Sequence, residues 1–227
     1  MEGSATSTAR PESPRSRAVF LLLTLVTGAL NAISFLALGG VFVSVMTANL
    51  ALVGIAVGGS DVELAGNSAV ALAGYIAGVL LGARYCERCA RGNRSGVRAL
   101  LFGELLLLCG VLAGWLLVDG SPAAPLRTVL LGAAALAMGC QSATIRATAP
   151  GVSTTYMTGL LTTLLTDVLA RRRPDWSRAA LVAAIPVGAA LGALVVVTAR
   201  AAAPLLPVVL LTAVLLLSAG APGRPDR

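Results

Sequence analysis

Polar side chains cluster at two places in an otherwise apolar sequence, and each place follows a glycine break. The first is residues 39–50 and the second is residues 150–161; both carry a Met-Thr pair and return at once to leucine-rich sequence. Hydroxyl and amide groups at membrane depth need hydrogen-bond partners, because hydrocarbon offers none. Such groups predict a solute path, and the candidates for it are Asn31, Ser44, Thr47, Asn49, Gln141, Arg146, Thr154, Thr155 and Thr158.

A structural role competes with the functional one for each of these residues. Hydrogen bonds between helices hold membrane bundles together and contribute about 0.6 kcal/mol each on average. Arg146 would attract an anionic solute if it faces a cavity, but its long side chain could equally reach the membrane surface. The sequence leaves both interpretations open.

Glu104 is an acidic residue inside an apolar segment. An ionised carboxylate near the centre of a membrane span is costly, about 2.5 kcal/mol or more on insertion scales. Because Arg98 precedes it by less than two helical turns, we expect Glu104 to lie near the cytoplasmic edge and to pair with a loop arginine. A gate or proton site is the alternative.

Residue types argue against an enzyme or a metal centre. Histidine is absent, which removes the commonest general base and metal ligand. Cys86 and Cys89 form a Cys-x-x-Cys in a basic loop, but no second pair and no histidine complete a zinc site. No glycine-rich phosphate loop is present. We expect no catalytic residue, no metal and no cofactor.

The elements that must hold the polar residues are membrane helices. Of the 227 residues, 57% are hydrophobic and 12% are charged. Apolar runs of about twenty residues recur, enough to cross a hydrocarbon core of ~30 Å. The net charge of +7 comes from arginines in the tail and the connecting loops. That distribution indicates membrane topology, with the lipid bilayer as partner, rather than nucleic-acid binding.

Eight apolar segments follow a polar tail at residues 1–17, which we predict to be disordered. A second tail covers residues 221–227, and residues 18–220 are treated as a single membrane domain. The segments cover residues 18–38, 41–58, 69–83, a fourth stretch ending at 118, then 128–147, 152–170, 179–198 and 205–218.

The distribution of charge indicates six crossings rather than eight. If residues 18–58 and 128–170 each cross once, both tails and both basic loops (84–98 and 171–173) lie on the cytoplasmic side. The acidic turn with Asp61 and Glu63 then lies outside. Eight crossings would put the two basic loops on opposite sides, against the positive-inside rule. Two segments are therefore predicted to be broken or re-entrant, and a tight hairpin at Gly39–Gly40 remains the alternative.

Residues 28–50 match residues 139–161 at a constant offset, given by the two methionines as 157 − 46 = 111. This match predicts an internal repeat, with halves at about residues 18–118 and 128–218. Each half holds three crossings, an odd number, so the halves would be inverted relative to each other. Inverted repeats with broken helices recur in transporters, where the breaks lie near the midplane. We predict an all-α inverted repeat that acts as a transporter or channel for a small neutral or weakly anionic solute. A non-transporting membrane assembly or regulatory protein is the alternative.

Glycines at four-residue spacing predict faces where helix backbones approach closely, within the chain or between copies in a homo-oligomer. These glycines are Gly54 and Gly58, then Gly74, Gly78 and Gly82, then Gly110 and Gly114, and finally Gly188 and Gly192.

Four short patterns resemble the DUF1275 (YoaK-like) family, and the resemblance covers about residues 18–220. The patterns are Thr27-Gly-Ala-Leu-Asn-Ala-Ile-Ser-Phe-Leu, Val41-Phe through Met46-Thr-Ala-Asn-Leu, Met138-Gly-Cys-Gln-Ser-Ala-Thr and Thr154-Thr-Tyr-Met-Thr-Gly-Leu. The resemblance implies a multi-pass protein of the bacterial cytoplasmic (inner) membrane, with about six helices and no established biochemical activity. The family favours Asp where Asn31 stands, Gly where Ala48 stands and Asn where Ser142 stands. Any ion or proton coupling through that Asp is therefore in doubt here.

Overall fold

The structure, a computed structural model, describes residues 13–88, 94–148, 157–171 and 176–219. Within these ranges the chain forms eight α-helices, one short 3₁₀ helix (Arg200–Ala202) and no strand. The helices are α1 Pro14–Ala37, α2 Met46–Gly59, α3 Val62–Arg88, α4 Arg94–Leu116, α5 Ala124–Thr148, α6 Met157–Arg171, α7 Trp176–Thr198 and α8 Leu205–Ala219.

Six helical segments are long and apolar enough to cross a membrane: α1, α3, α4, α5, α7, and α8 together with the 3₁₀ helix before it. The helices α2 and α6 are shorter. The 14 residues of α2 extend about 21 Å at 1.5 Å per residue, less than the ~30 Å hydrocarbon core. The prediction of an all-α membrane protein with six long helices and two shorter apolar ones is confirmed.

The first helix begins earlier than predicted, at Pro14, inside the segment expected to be disordered. The Ser13 hydroxyl accepts a hydrogen bond from the Ser16 backbone N–H at 3.1 Å, and Pro14 occupies the first helical turn. A serine cap followed by proline is a strong helix start, because proline lacks the N–H that would be unpaired there. Residues 1–12 and 220–227, the rest of the two predicted tails, lie outside the described residues.

The second helix begins later than predicted, at Met46 rather than Val41. The break before it occurs at Gly39 and Gly40, whose φ angles of 114° and 73° suit glycine and strain other residues. Residues 41–45 are not helical. The chain therefore leaves α1 in a short non-helical segment, residues 38–45, before α2 starts.

The two most extensive helix interfaces pair α3 with α5 and α1 with α7. In both interfaces glycines let the backbones approach closely. A Cβ atom at Gly78 would overlap the Leu136 carbonyl oxygen on α5, and one at Gly188 would overlap the Leu25 carbonyl oxygen on α1. These glycine faces thus pack within the chain. At Gly54, Gly58 and Gly110, in contrast, a Cβ atom would have no described neighbour within 4 Å.

Contacts at the helix ends show how α1, α3, α5 and α8 are oriented relative to one another. Arg127 at the start of α5 forms an ion pair with Glu63 at the start of α3, so these two helices are parallel. Arg15 at the start of α1 donates to the Leu217 carbonyl near the end of α8, at 2.6 Å. Asn67 near the start of α3 donates to the Gly39 carbonyl, just after α1. The helices α1 and α5 therefore run in opposite directions.

The core of the bundle lies around α1 and α5, which are the most buried of the six long helices. Large side chains fill it, including Val26, Leu131, Met138 and Trp115. The short helices lie to either side: α2 packs on α3, and α6 packs on α7. The first candidate motif, residues 39–50, therefore adjoins the end of α1.

Candidate functional site

The segment after α1 is held in place by Asn31. Its amide nitrogen donates to the Ser44 hydroxyl at 2.7 Å, and its amide oxygen accepts the Ser44 backbone N–H at 3.1 Å. Both side chains are buried. Because Asn31 lies about two turns before the end of α1, the segment turns back along α1 and enters the bundle again.

Asn49, in the first turn of α2, also holds the segment between α1 and α2 in place. Its amide oxygen accepts the Phe42 backbone N–H at 3.0 Å, and its amide nitrogen donates to the Phe42 carbonyl at 2.5 Å. The Phe42 ring stacks on Phe35 with centroids 5.0 Å apart. One amide side chain thus replaces both hydrogen bonds that a neighbouring strand would provide.

Of the predicted path residues, Asn31 and Ser44 therefore satisfy each other, and Asn49 satisfies the backbone of Phe42. This arrangement is the structural alternative that the sequence left open. Thr47 is exposed on α2, and Arg146 is exposed near the end of α5. The sequence analysis did not include Asn67, which donates to the Gly39 carbonyl at 3.3 Å. An asparagine within an apolar segment was the signal that the sequence offered.

We expect the Asn31 and Ser44 side chains to contribute to stability as a pair. Asn31→Ala leaves the buried Ser44 backbone N–H without an acceptor, which costs about 1–3 kcal/mol. The free energy of unfolding of Asn31→Ala, Ser44→Ala and the double variant should reveal a coupling of about 0.5–3 kcal/mol. Thr198→Val, which removes an exposed hydroxyl, is the control. Strictly additive losses would contradict the pairing.

The second motif falls largely outside the described residues. Thr154 and Thr155 belong to the stretch 149–156 that the structure leaves undescribed, and for Thr158 only the helical backbone is described. The two short helices pack on different neighbours, α2 on α3 and α6 on α7. Since α1 and α5 are antiparallel, the two breaks follow opposite ends of the bundle. A polar cavity shared by both motifs stays a prediction.

The side chain of Gln141, on α5, reaches across to α1. It is 1% exposed, and its amide nitrogen donates across to the Leu23 carbonyl of α1 at 3.2 Å. The same carbonyl accepts the Thr27 hydroxyl at 2.9 Å. The amide oxygen of Gln141 has no hydrogen-bond partner among the described residues. Within the described residues, this oxygen is therefore a buried acceptor that is available to another hydrogen-bond donor.

Glu104 does not occupy the position expected from the sequence. It lies near the midpoint of α4, is 1% exposed, and has no partner for either carboxylate oxygen within the described ranges. Arg98 is exposed. The expectation of a surface pair with a loop arginine is wrong for the described arginines, because Glu104 is on the inward-facing stripe of α4. That stripe also holds Leu101, Leu108, Val111 and Trp115.

Glu104 and Gln141 lie at similar depth. Gly114 on α4 faces Leu130 on α5, and these helices are antiparallel. Glu104 is about three turns before Gly114, and Gln141 is about three turns beyond Leu130. Because three turns bring a residue back close to the same side of a helix, Gln141 lies on the side of α5 that faces α4. The two residues bring to the interior three acceptor oxygens that have no partner in the described part of the chain.

The described side chains include no cluster of three or more His, Cys, Asp or Glu residues that could hold a metal ion. Cys86 lies near the end of α3, and Cys89 lies outside the described ranges. The absence of a cofactor and of catalytic residues stays a prediction.

Comparison with known proteins connects this chain to membrane proteins. A family model described as a protein of unknown function (DUF1275) matches residues 19–217. The UPF0700 transmembrane protein YoaK of Bacillus subtilis (strain 168) is 29% identical over 151 residues, or 66% of this chain. The matched part spans 66% of the length of that relative. No solved structure matches the chain.

Proposed function

This chain belongs to the DUF1275 family of membrane proteins, and from that premise we propose that it is a transporter or channel for a small solute. The solute is neutral or weakly anionic, and its path runs between the central helices α1 and α5. The observation that carries this proposal is the buried amide oxygen of Gln141 at the boundary between those helices, which has no hydrogen-bond partner among the described residues.

The proposal includes an internal repeat with inverted halves, and the pattern of helix contacts supports it. Exchanging α1 with α5, α2 with α6, α3 with α7 and α4 with α8 turns each extensive interface into another one: α1–α7 becomes α5–α3, α1–α8 becomes α5–α4, and α2–α3 becomes α6–α7. The glycine contacts follow the same exchange, with Gly28 against Gly188 and Gly139 against Gly78. Equivalent helices α1 and α5 point in opposite directions, as in many secondary transporters.

The chemistry of the central helices supports a solute with little charge. The buried polar groups of α1 and α5 include Thr24, Thr27, Gln141 and Thr144, which are hydrogen-bonding but uncharged. The two arginines of α5 lie near its ends. Between the ends of these two helices, a strongly charged solute would find no described side chain of opposite charge, whereas hydroxyl, amide and protonated acid groups would find partners.

We propose the cytoplasmic membrane of a bacterium as the location. The end of the bundle that carries Arg84, Arg88 and Arg98 would face the cytoplasm, together with the start of α1. This orientation follows the positive-inside rule. The opposite end carries Asp61, Glu63 and Asp119.

Transport is tested with the purified full chain in lipid vesicles. Stopped-flow light scattering follows vesicle swelling in a panel of glycerol, urea, formate and acetate. We expect the protein to accelerate the entry of at least one member. Gln141→Leu should reduce that rate by about tenfold, the equivalent of one lost hydrogen bond. Thr212→Val, which removes a hydroxyl from α8, should leave the rate unchanged.

A lack of solute entry would favour the alternative function, that of a membrane assembly or regulatory protein. If the protein is folded in the vesicles and accelerates no member of the panel, the transport proposal fails. A membrane assembly or regulatory protein then becomes the better interpretation, with the open glycine face of Gly54 and Gly58 as the first surface to test for partners.

A further inference from the structure

We propose that Glu104 holds an exchangeable proton in the middle of the membrane and that this proton crosses with the solute. The first part concerns Glu104 alone, and the second part rests on the transport function proposed above. The argument starts from the position of the carboxyl group, which is 1% exposed and near the midpoint of α4.

An ionised carboxylate is costly at this position. Both Glu104 oxygens lack a hydrogen-bond donor among the described residues. The ion pair between Arg127 and Glu63 lies at the end of the bundle, away from Glu104. Burying a charge without a partner costs several kcal/mol, and the group avoids that cost by taking up a proton. At rest the Glu104 side chain is therefore the neutral acid.

The helices packed on α4 bring no described cation to Glu104. The helix α8 has no titratable side chain, and Arg200 of the 3₁₀ helix donates to the Gly120 carbonyl at 2.9 Å. The charged residues of α3 and α5 lie towards their ends, and Tyr75 of α3 bonds to Ser142. The Cys140 thiol of α5 donates to the Gly78 carbonyl at 3.4 Å and carries no positive charge.

A proton on Glu104 also supplies the donor that the site lacks. The carboxyl oxygens of Glu104 and the amide oxygen of Gln141 are three buried acceptors without a donor among the described residues. Three oxygens are too few for a hard divalent cation such as Ca²⁺, which takes six or more. A single O–H on Glu104, in contrast, provides a donor at the depth of the unpartnered Gln141 oxygen.

Packing alone does not require an acid here. The other inward-facing residues of α4 are apolar, including Leu101, Leu108 and Val111. A leucine in place of Glu104 would continue that stripe without the cost of a buried acid. What the carboxyl group adds is the ability to bind and release a proton beside a helix that borders the proposed path.

The proposed exchange is balanced in charge. Breaking the O–H bond of Glu104 leaves a carboxylate, and the proton passes to the anionic oxygen of a weak acid in the path, which crosses as the neutral acid. A proton taken from water on the side from which the anion entered restores the Glu104 acid. One proton and one monoanion therefore move together, with no net charge transferred.

The protonation of Glu104 is tested by infrared spectroscopy on the full chain in lipid vesicles at neutral pH. We expect a carbonyl band of a protonated carboxylic acid, retained in Glu63→Gln and lost in Glu104→Gln. The band should shift when the vesicles are moved into D₂O, because the proton exchanges with solvent. A band that is absent, or that does not shift in the folded protein, would overturn the exchangeable proton.

Coupling is tested in vesicles loaded with a fluorescent pH indicator and exposed to the formate and acetate of the panel. We expect the wild type to acidify the interior as the anion enters, and Glu104→Gln to lose this acidification. Anion entry without proton entry in the wild type would overturn the coupling while leaving transport intact. If no solute enters at all, the transport function fails, and the infrared result alone decides the proton site.

Discussion

Gly78→Ala and Gly188→Ala are each expected to destabilise the folded protein by about 1–3 kcal/mol or more, a large effect for a single methyl group. The added atom would overlap a backbone carbonyl oxygen, that of Leu136 or of Leu25. A carbonyl inside a helix cannot rotate aside as a long side chain can, so the helices must separate. Thermal unfolding of the detergent-solubilised protein measures the loss.

Gly54→Ala is the matched control, because no described atom lies within 4 Å of the position that its Cβ atom would take. Alanine favours the helix over glycine by about 1 kcal/mol, so this variant should melt at the same temperature or slightly higher. Similar losses for Gly78→Ala and Gly188→Ala would agree with equivalent interfaces in two repeated halves. Equal melting of all three variants would refute the close approach of the backbones.

The second large effect is expected in cysteine labelling, which reports the side of the membrane on which each loop lies. In a cysteine-free background, a cysteine at position 61 is expected to react only with reagent added outside the cell. A cysteine at position 92 is expected to react only after the reagent reaches the cytoplasm. The reason is that Asp61 precedes α3 and position 92 follows it, and α3 is long enough to span the membrane. Intact cells treated with a membrane-impermeant maleimide, before and after permeabilisation, provide the measurement.

Labelling at both positions from the same side would contradict this topology. Native cysteines at positions 86, 89, 109 and 140 must be replaced first, and the expression level of that background serves as the control for folding. Labelling of position 92 from outside and of position 61 from inside would reverse the orientation while preserving the six crossings.

The sequence was sufficient for the helices but not for the structure of the break. Long apolar runs identified all six long helices, because the bilayer requires about twenty apolar residues from each. The Gly39–Gly40 pair in the sequence predicts the end of α1, and the structure shows that both glycines have positive φ angles. The start of α2 was misplaced, since residues 41–45 are held out of the helix by hydrogen bonds to Asn31 and Asn49. Such bonds depend on three-dimensional proximity that periodicity does not report.

The position of Glu104 was misjudged for a different reason. Its distance along the chain from Arg98 suggested a surface pair, but direction around the helix decides which side chains meet. Leu101, Glu104, Leu108 and Val111 recur at intervals of three and four residues, which places them on one face. That spacing was present in the sequence and predicts the inward orientation. The lack of a described partner for the carboxylate could be seen only in the packed structure.

The close pairing of α1 with α7 has a consequence for how the protein is made. Gly28 of α1 packs against Gly188 of α7, yet the ribosome completes α7 long after α1 has entered the membrane. At about 5–20 residues per second, roughly 8–32 s of synthesis separate the two glycines. During that time the glycine face of α1 has no α7 to pack on, and lipid or the insertion machinery must cover it. The helix α1 thus reaches α7, one of its principal neighbours, only long after its own insertion.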